Sequence, residues 1–270
     1  FAYISILEVT LKLGIVYLLS IGNFDKLILY ATLLLLVQII IRYIYKYICN
    51  KYFKESKYKY SWNKALIIEM ASFASWNLWG NIAYISYTQG VNLLLNVFFG
   101  PVINAARGIS VQIQGLVAQL SNSLQSAINP QITKSYAICN YQYMHDLIFR
   151  SSRYTFYLLI IIIIPLLFET HTLLELWLER VPEHTINFVR LAICCSIIDS
   201  MANPLLTSAA ATGRVKLYQI TIGGLLIMIL PLSYIALKLG FEPEAVYVVQ
   251  LSINIISFFT RLLIIRPMIK

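Results

Sequence analysis

Charge is scarce in this chain. Of its 270 residues only 12% are Asp, Glu, Lys or Arg, whereas 59% are hydrophobic and the mean hydropathy is +0.72. Soluble domains carry about 25% charged residues, so there is too little polar surface here to cover a water-soluble globule. Acidic side chains are scarcer still, 12 against 21 Lys and Arg, for a net charge of +9. In a soluble protein that excess would point to nucleic acid. Here the basic residues cluster between apolar runs, which is the pattern of membrane topology, and no nucleic-acid partner is expected. Catalytic and metal-binding signatures are lacking as well. His145, His171 and His184 are scattered through the connections, and no HExxH, GxSxG or Walker-type Gly-Lys pattern occurs. Cys49, Cys139, Cys194 and Cys195 show no CxxC spacing, and the adjacent pair lies inside an apolar run, so free structural thiols are expected. These absences predict no enzyme, no metal site and no cofactor; a coupling ion, Na+ or H+, enters only with the transport readings. The chain opens at Phe1 without Met or a basic leader, so 1–22 reads as part of a longer protein rather than as a signal peptide.

What is present is a series of apolar runs. A bilayer crossing needs about 20 apolar residues, and eight candidate spans can be drawn at 1–22, 27–48, 65–98, 103–132, 148–168, 187–212, 215–238 and 244–266. Gly22-Asn23, Gly100-Pro101, Asn129-Pro130, Gly213 and Gly240 to Pro243 punctuate them. The expected class is an all-α polytopic transmembrane helix bundle. Basic residues alternate between connections. Arg42, Lys46, Lys51, Lys54, Lys57, Lys59, Lys64, Lys134, Arg150, Arg153, Arg214, Lys216, Arg261, Arg266 and Lys270 fall on one side of an eight-span layout. Only Lys26, Arg107, Arg180, Arg190 and Lys238 fall on the other, together with Asp25, Glu169, Glu175, Glu179, Glu183, Glu242 and Glu244. The positive-inside rule makes the richer side cytoplasmic and puts both ends of the segment there. Tyr43, Tyr45, Tyr47, Tyr52, Tyr58, Tyr60 and Trp62 crowd the same side as interfacial aromatics do. The mixed apolar and acidic run 169–185, with Trp177, predicts a short interfacial helix.

Polar side chains inside the spans are the functional signal. In 65–98, Asn77, Asn81, Tyr84, Thr88, Asn92 and Asn96 recur every three or four residues and share one helix face. In 103–132, Arg107, Gln114, Ser121 and Gln125 form one stripe, and Gln112, Gln119, Asn122, Ser126 and Asn129 an adjacent one. Singly, such groups serve as hydrogen-bonding glue between helices. Two broad stripes on neighbouring helices predict a hydrated cavity. Charges in spans cost about 2.5–3.5 kcal/mol each at mid-bilayer unless paired or hydrated. Glu8 and Lys12, at i and i+4, either neutralise each other or take part in transport. Asp199, just before Asn203-Pro204, has no partner nearby in sequence and is the stronger candidate for proton or cation coupling. Arg107 either holds an anionic ligand or snorkels to the interface. Arg190 is expected to snorkel.

The run 92–137, NLLLNVFFGPVINAARGISVQIQGLVAQLSNSLQSAINPQITKSYA, resembles the seventh and eighth helices of Wzx-type polysaccharide flippases of the multidrug/oligosaccharidyl-lipid/polysaccharide exporter superfamily. The pieces FFGP, NAARGI and NPQITKSYA carry it, and it continues through LIFRSSR (147–153), LWL (176–178) and ATGRVKLYQ (211–219). The resemblance implies a partial MATE-like, two-lobed fold. Residues 1–48 would be the last two helices of the N-terminal lobe, 49–64 a basic cytoplasmic linker, and 65–270 an incomplete C-terminal lobe. The rest of the N-terminal lobe would be a partner, along with membrane lipids. It also implies flipping of an undecaprenyl-pyrophosphate-linked oligosaccharide by alternating access in a bacterial inner membrane, with Lys12 and Arg107 placed to receive pyrophosphate. A cation- or proton-coupled small-molecule exporter of the same superfamily is the alternative. A membrane glycan polymerase or ligase is a third class, disfavoured by the short 169–186 connection.

Overall fold

The computed structural model describes residues 2–19, 26–53 and 62–269. Lys54, Lys57, Lys59, Lys270, Asp25, Tyr58, Tyr60 and the Gly22-Asn23 signal lie outside the described residues. All regular structure among those described is helical: α1 (Ala2–Leu18), α2 (Lys26–Tyr52), α3 (Lys64–Phe99), α4 (Pro101–Ala137), α5 (Tyr141–Phe168), α6 (Thr170–Trp177), α7 (Thr185–Ala211), α8 (Lys216–Lys238) and α9 (Ala245–Met268). In hydrocarbon every backbone N–H and C=O must find its partner within the chain, which a helix achieves locally.

Each expected span overlaps one helix among the described residues, and the short helix expected in 169–185 is α6. Five helices, α2, α5, α7, α8 and α9, are long and apolar enough to cross a membrane, and the chain is a multi-pass helical membrane protein. Among the described residues α1 has only 17 residues, while α3 and α4 carry the polar stripes that lower their hydropathy. Two boundaries differ from expectation. Asn129-Pro130 does not end its helix: α4 runs through Pro130 to Ala137, and Asn129 Oδ1 accepts a hydrogen bond from Thr207 Oγ1 of α7 at 3.1 Å. Neighbouring helices commonly stabilise such interrupted membrane helices. Helix α5 begins at Tyr141 because Asn140 caps it, accepting from Tyr143 N at 3.2 Å. Arg150 and Arg153 therefore lie in α5 rather than in a connection, and Arg150 pairs with Asp146 at 2.7 Å.

The chain divides into two compact units, Phe1–Asn63 and Lys64–Lys270. In the first, α1 and α2 meet through Ile4, Ile15, Val37 and Ile41. Glu8 is ion-paired with Lys12 at 2.7 Å and accepts from Gln38 Nε2 of α2 at 3.1 Å. The pair is thus a local neutralisation tied to the neighbouring helix.

In the second unit α7 is central, lying against α4, α5 and α9, while α3 pairs with α8 and α9 bridges α7 and α8. Gly100, at φ 82°, adopts the left-handed conformation that glycine tolerates best, and Pro101 then opens α4. Three apolar clusters hold the unit. One gathers Leu95, Ile103, Phe188, Ile229 and Val246. A second gathers Ile132, Met144, Leu205, Tyr218 and Ile265. The third joins Val117 and Leu159 to Ile193. On α4, α7 and α9 the first two clusters use opposite ends of the helices and leave the middle turns between them. Large apolar side chains such as Phe168 and Ile161 are exposed, as lipid-facing residues are.

Helices α3 and α8 approach closely at Gly80. A methyl group there would collide with Gln219 Oε1, and Gln219 Nε2 donates to Asn77 Oδ1 at 2.9 Å. At one end of the unit His184 Nδ1 meets Glu244 Oε1 at 2.6 Å and Asn187 Nδ2 donates to the same oxygen at 3.0 Å, clasping the start of α7 to the start of α9.

Two outcomes are expected. Gly80→Ala should be less stable than Gly224→Ala by about 1–3 kcal/mol, because both gain the same helix propensity but only the first displaces a hydrogen-bonded side chain; thermal unfolding in detergent measures the difference. Burial alone would raise the Glu244 pKa, but hydrogen bonds from Asn187 and His184 outweigh it and hold the carboxyl below its ordinary value. A depressed native pKa means that the unfolded chain binds the proton more readily. The clasp's contribution is therefore complete above about pH 4.3 and fades as pH falls through the lowered value. The thermal midpoint of the wild type should drop over that window by more than that of Glu244→Gln.

Candidate functional site

The middle turns left free by the two end clusters line one cavity, and a second adjoins it toward the last turns of α4 and α7 and the first turns of α8. The first, of about 370 Å³, lies between α3, α4, α7, α8 and α9. Its polar walls come from Tyr84, Gln114, Ser121, Asp199, Asn203, Asn254 and Arg261. The second, of about 600 Å³, is walled by Asn77, Asn81, Thr133, Thr207 and Gln219. Tyr84, Leu206, Leu226 and Arg261 line both, so the cavities meet at the arginine.

Helical periodicity positions these groups. On α7, Ser196, Ser200, Asn203 and Thr207 fall three or four residues apart, with Asp199 next to Ser200, and so share a face. On α9 the same spacing links Gln250, Asn254, Ser257 and Arg261, with the first three buried. Asp199 and Arg261 are the charged side chains lining the cavities. The Arg261 guanidinium carbon lies 5.9 Å from the centroid of the Tyr218 ring. Three polar atoms of wall residues, Arg261 Nε, Asn254 Nδ2 and Ser121 Oγ, are buried without a hydrogen-bond partner. Buried polar groups are as a rule hydrogen-bonded, so these atoms suit a polar or anionic occupant. A guanidinium is well matched to phosphate or carboxylate oxygens.

The sequence-predicted residues divide into three groups. Asn81, Gln114, Ser121 and Asp199 line the cavities. Gln125 instead binds α4 to α5, donating to Thr155 Oγ1 at 3.1 Å. Asn92 donates to Gln89 Oε1 within α3 at 3.3 Å, and Asn96 is exposed further along that helix; neither is a wall residue of the two cavities. Lys12 and Glu8 form their ion pair in the first unit. Arg107 is no snorkelling side chain: it is 3% exposed and lies beside Tyr247, whose hydroxyl is hydrogen-bonded to Ser110 Oγ. Its Nε and Nη1 are buried without partners, outside both cavities.

Arg261 is the residue that the charge pattern misplaces. The eight-span layout counts it among the charges flanking the last span, whereas it lies inside α9 on the cavity wall. Asp199, without a partner in the linear sequence, shares that cavity with it. The signal in the sequence is the stripe Gln250-Asn254-Ser257-Arg261, as regular as those on 65–98 and 103–132. Among the described residues no group of three His, Cys, Asp or Glu side chains is placed to hold a metal ion.

If Asp199 and Arg261 balance each other, losing one charge should cost more than losing both. Asp199→Asn and Arg261→Gln are each expected to destabilise the protein by about 1–3 kcal/mol, with the double variant recovering at least half of the summed loss. A thermal or denaturant double-mutant cycle in detergent reads this coupling, and strict additivity would dissolve it.

No family model, no curated protein and no solved structure matches the chain.

Proposed function

We propose that the chain belongs to a transporter that flips undecaprenyl-pyrophosphate-linked oligosaccharide across a bacterial inner membrane for polysaccharide export, by alternating access. The observation that carries this reading is Arg261, with its unpartnered Nε, on the wall of a polar cavity at mid-height in a multi-pass bundle. A pyrophosphate is a multiply charged oxyanion, and a guanidinium offers it a planar fork of donors. The Asn, Gln, Ser and Tyr side chains of the two cavities suit sugar hydroxyls, which need donors and acceptors at many angles. No covalent bond is made or broken in this scheme, so no catalytic residue is assigned.

In this reading all eight long helices cross the membrane and both ends of the segment face the cytoplasm. Residues 1–48 close the N-terminal lobe, 49–64 link the lobes, and further helices of the same protein complete the cavity. Arg261 takes the principal phosphate-binding role. Lys12 is held by Glu8 and Arg107 is enclosed beside Tyr247, so both are secondary. The alternative, a cation- or proton-coupled exporter of small molecules in the same superfamily, is favoured by one observation: Asp199 lines the same cavity as Arg261.

The full-length protein carrying Arg261→Gln should lose surface polysaccharide at least about tenfold, the order expected for one lost charge-assisted contact, while drug susceptibility stays unchanged. Normal glycan export by a stably expressed Arg261→Gln protein would overturn the flippase reading. Loss of drug efflux in Asp199→Asn with intact surface glycan would establish the alternative.

A further inference from the structure

At the end of the second unit where α7 turns into α8, a groove of about 660 Å³ lies against the first turns of α3. We propose that this groove binds one anionic phospholipid, its headgroup phosphate at Arg214 and Lys216 and an acyl chain along Ile68, Trp76 and Ile220. The walls divide by chemistry in the way such a ligand does. Ile68, Phe73, Trp76, Leu217 and Ile220 supply an apolar bed, and Arg214 and Lys216, both exposed, supply cations at its end. The Lys216 ammonium stands 5.2 Å from the centroid of the Trp76 ring, which joins the charged end of the groove to the apolar bed. Tryptophan favours the level of the headgroups, where an apolar ring and a polar edge are both accommodated.

Charge selects the lipid class. Glu69 also lines the groove, so two cations and one carboxylate leave a single net positive charge. That complements a phosphodiester carrying one negative charge. A zwitterionic headgroup would bring its own ammonium against Arg214 and Lys216 and gain less. No side chain caps the first turn of α8 at Lys216, so the positive end of the helix dipole adds to the field there. The site requires only that the chain lie in a bilayer, so it stands or falls apart from the proposed substrate of the central cavity.

The test uses full-length protein in detergent, with lipid retention read by native mass spectrometry for phosphatidylglycerol and phosphatidylcholine of the same acyl chains. The wild type should retain phosphatidylglycerol about fivefold or more over phosphatidylcholine, as expected for basic side chains at a lipid headgroup. Arg214→Gln/Lys216→Gln should abolish that preference for one lipid per chain, and Trp76→Leu should weaken it about two- to fivefold. Glu69→Gln should strengthen retention, a direction that a merely damaged groove would not produce. Equal retention of the two lipids by the wild type overturns the proposal, as does unchanged retention in a monodisperse double variant. Displacement of the lipid by millimolar inorganic phosphate alone would mark a site for free anions and also overturn it. Should the double variant fail to fold, Glu69→Gln decides, with unchanged retention counting against the site.

Discussion

A carboxylate and a guanidinium placed in the middle of membrane-crossing helices have no inexpensive way to face lipid. Asp199 on α7 and Arg261 on α9 meet that constraint by turning to a common cavity, and the arrangement around them follows from it. Their helices present Ser, Asn and Gln on the same faces, α4 adds Gln114 and Ser121, and α3 adds Asn81 and Tyr84. Apolar faces are then left for lipid and for the end clusters. The reason is energetic: a charge at mid-bilayer costs several times the roughly 0.6 kcal/mol that an average interhelical hydrogen bond contributes. The placement of charge therefore constrains the bundle more strongly than the glue does.

Much of the fold is legible in the sequence because hydrophobicity and helicity coincide in a membrane. Span limits drawn from apolar runs fall close to helix ends, and Gly100-Pro101 marks a real corner. Legibility ends where a local rule meets a tertiary partner. Asn129-Pro130 looks like a break, yet Thr207 of α7 reaches Asn129 and α4 continues. Asn140 caps α5 a full two turns before the apolar run begins, so the charged start of that helix reads as a loop.

The site is partly legible, for a related reason. Periodicity tells which residues share a face but not what the face meets. Gln114 and Gln125 belong to one stripe of α4; the first lines a cavity, and the second is consumed by Thr155 of α5. Arg261 is hidden by its position near the end of an apolar run, where an arginine is ordinarily a topology signal. Arg107, near the start of another, reads the same way yet is enclosed beside Tyr247. Only the neighbouring helices distinguish a flanking charge from an interior one.

The two apolar clusters at opposite ends of α7 and α9 flank the first cavity. One joins Leu95 and Phe188 to Val246, the other Ile132 and Leu205 to Ile265. Aliphatic contacts are non-directional, so they can separate and re-form without leaving a broken hydrogen bond behind. The end bearing Phe188 and Val246 is also fastened by His184, Asn187 and Glu244. Hydrogen bonds of fixed geometry tie the other end as well, where Thr207 Oγ1 donates to Asn129 Oδ1 and Gln219 Nε2 to Asn77 Oδ1, so parting the helices at either end breaks directional contacts as well as aliphatic ones.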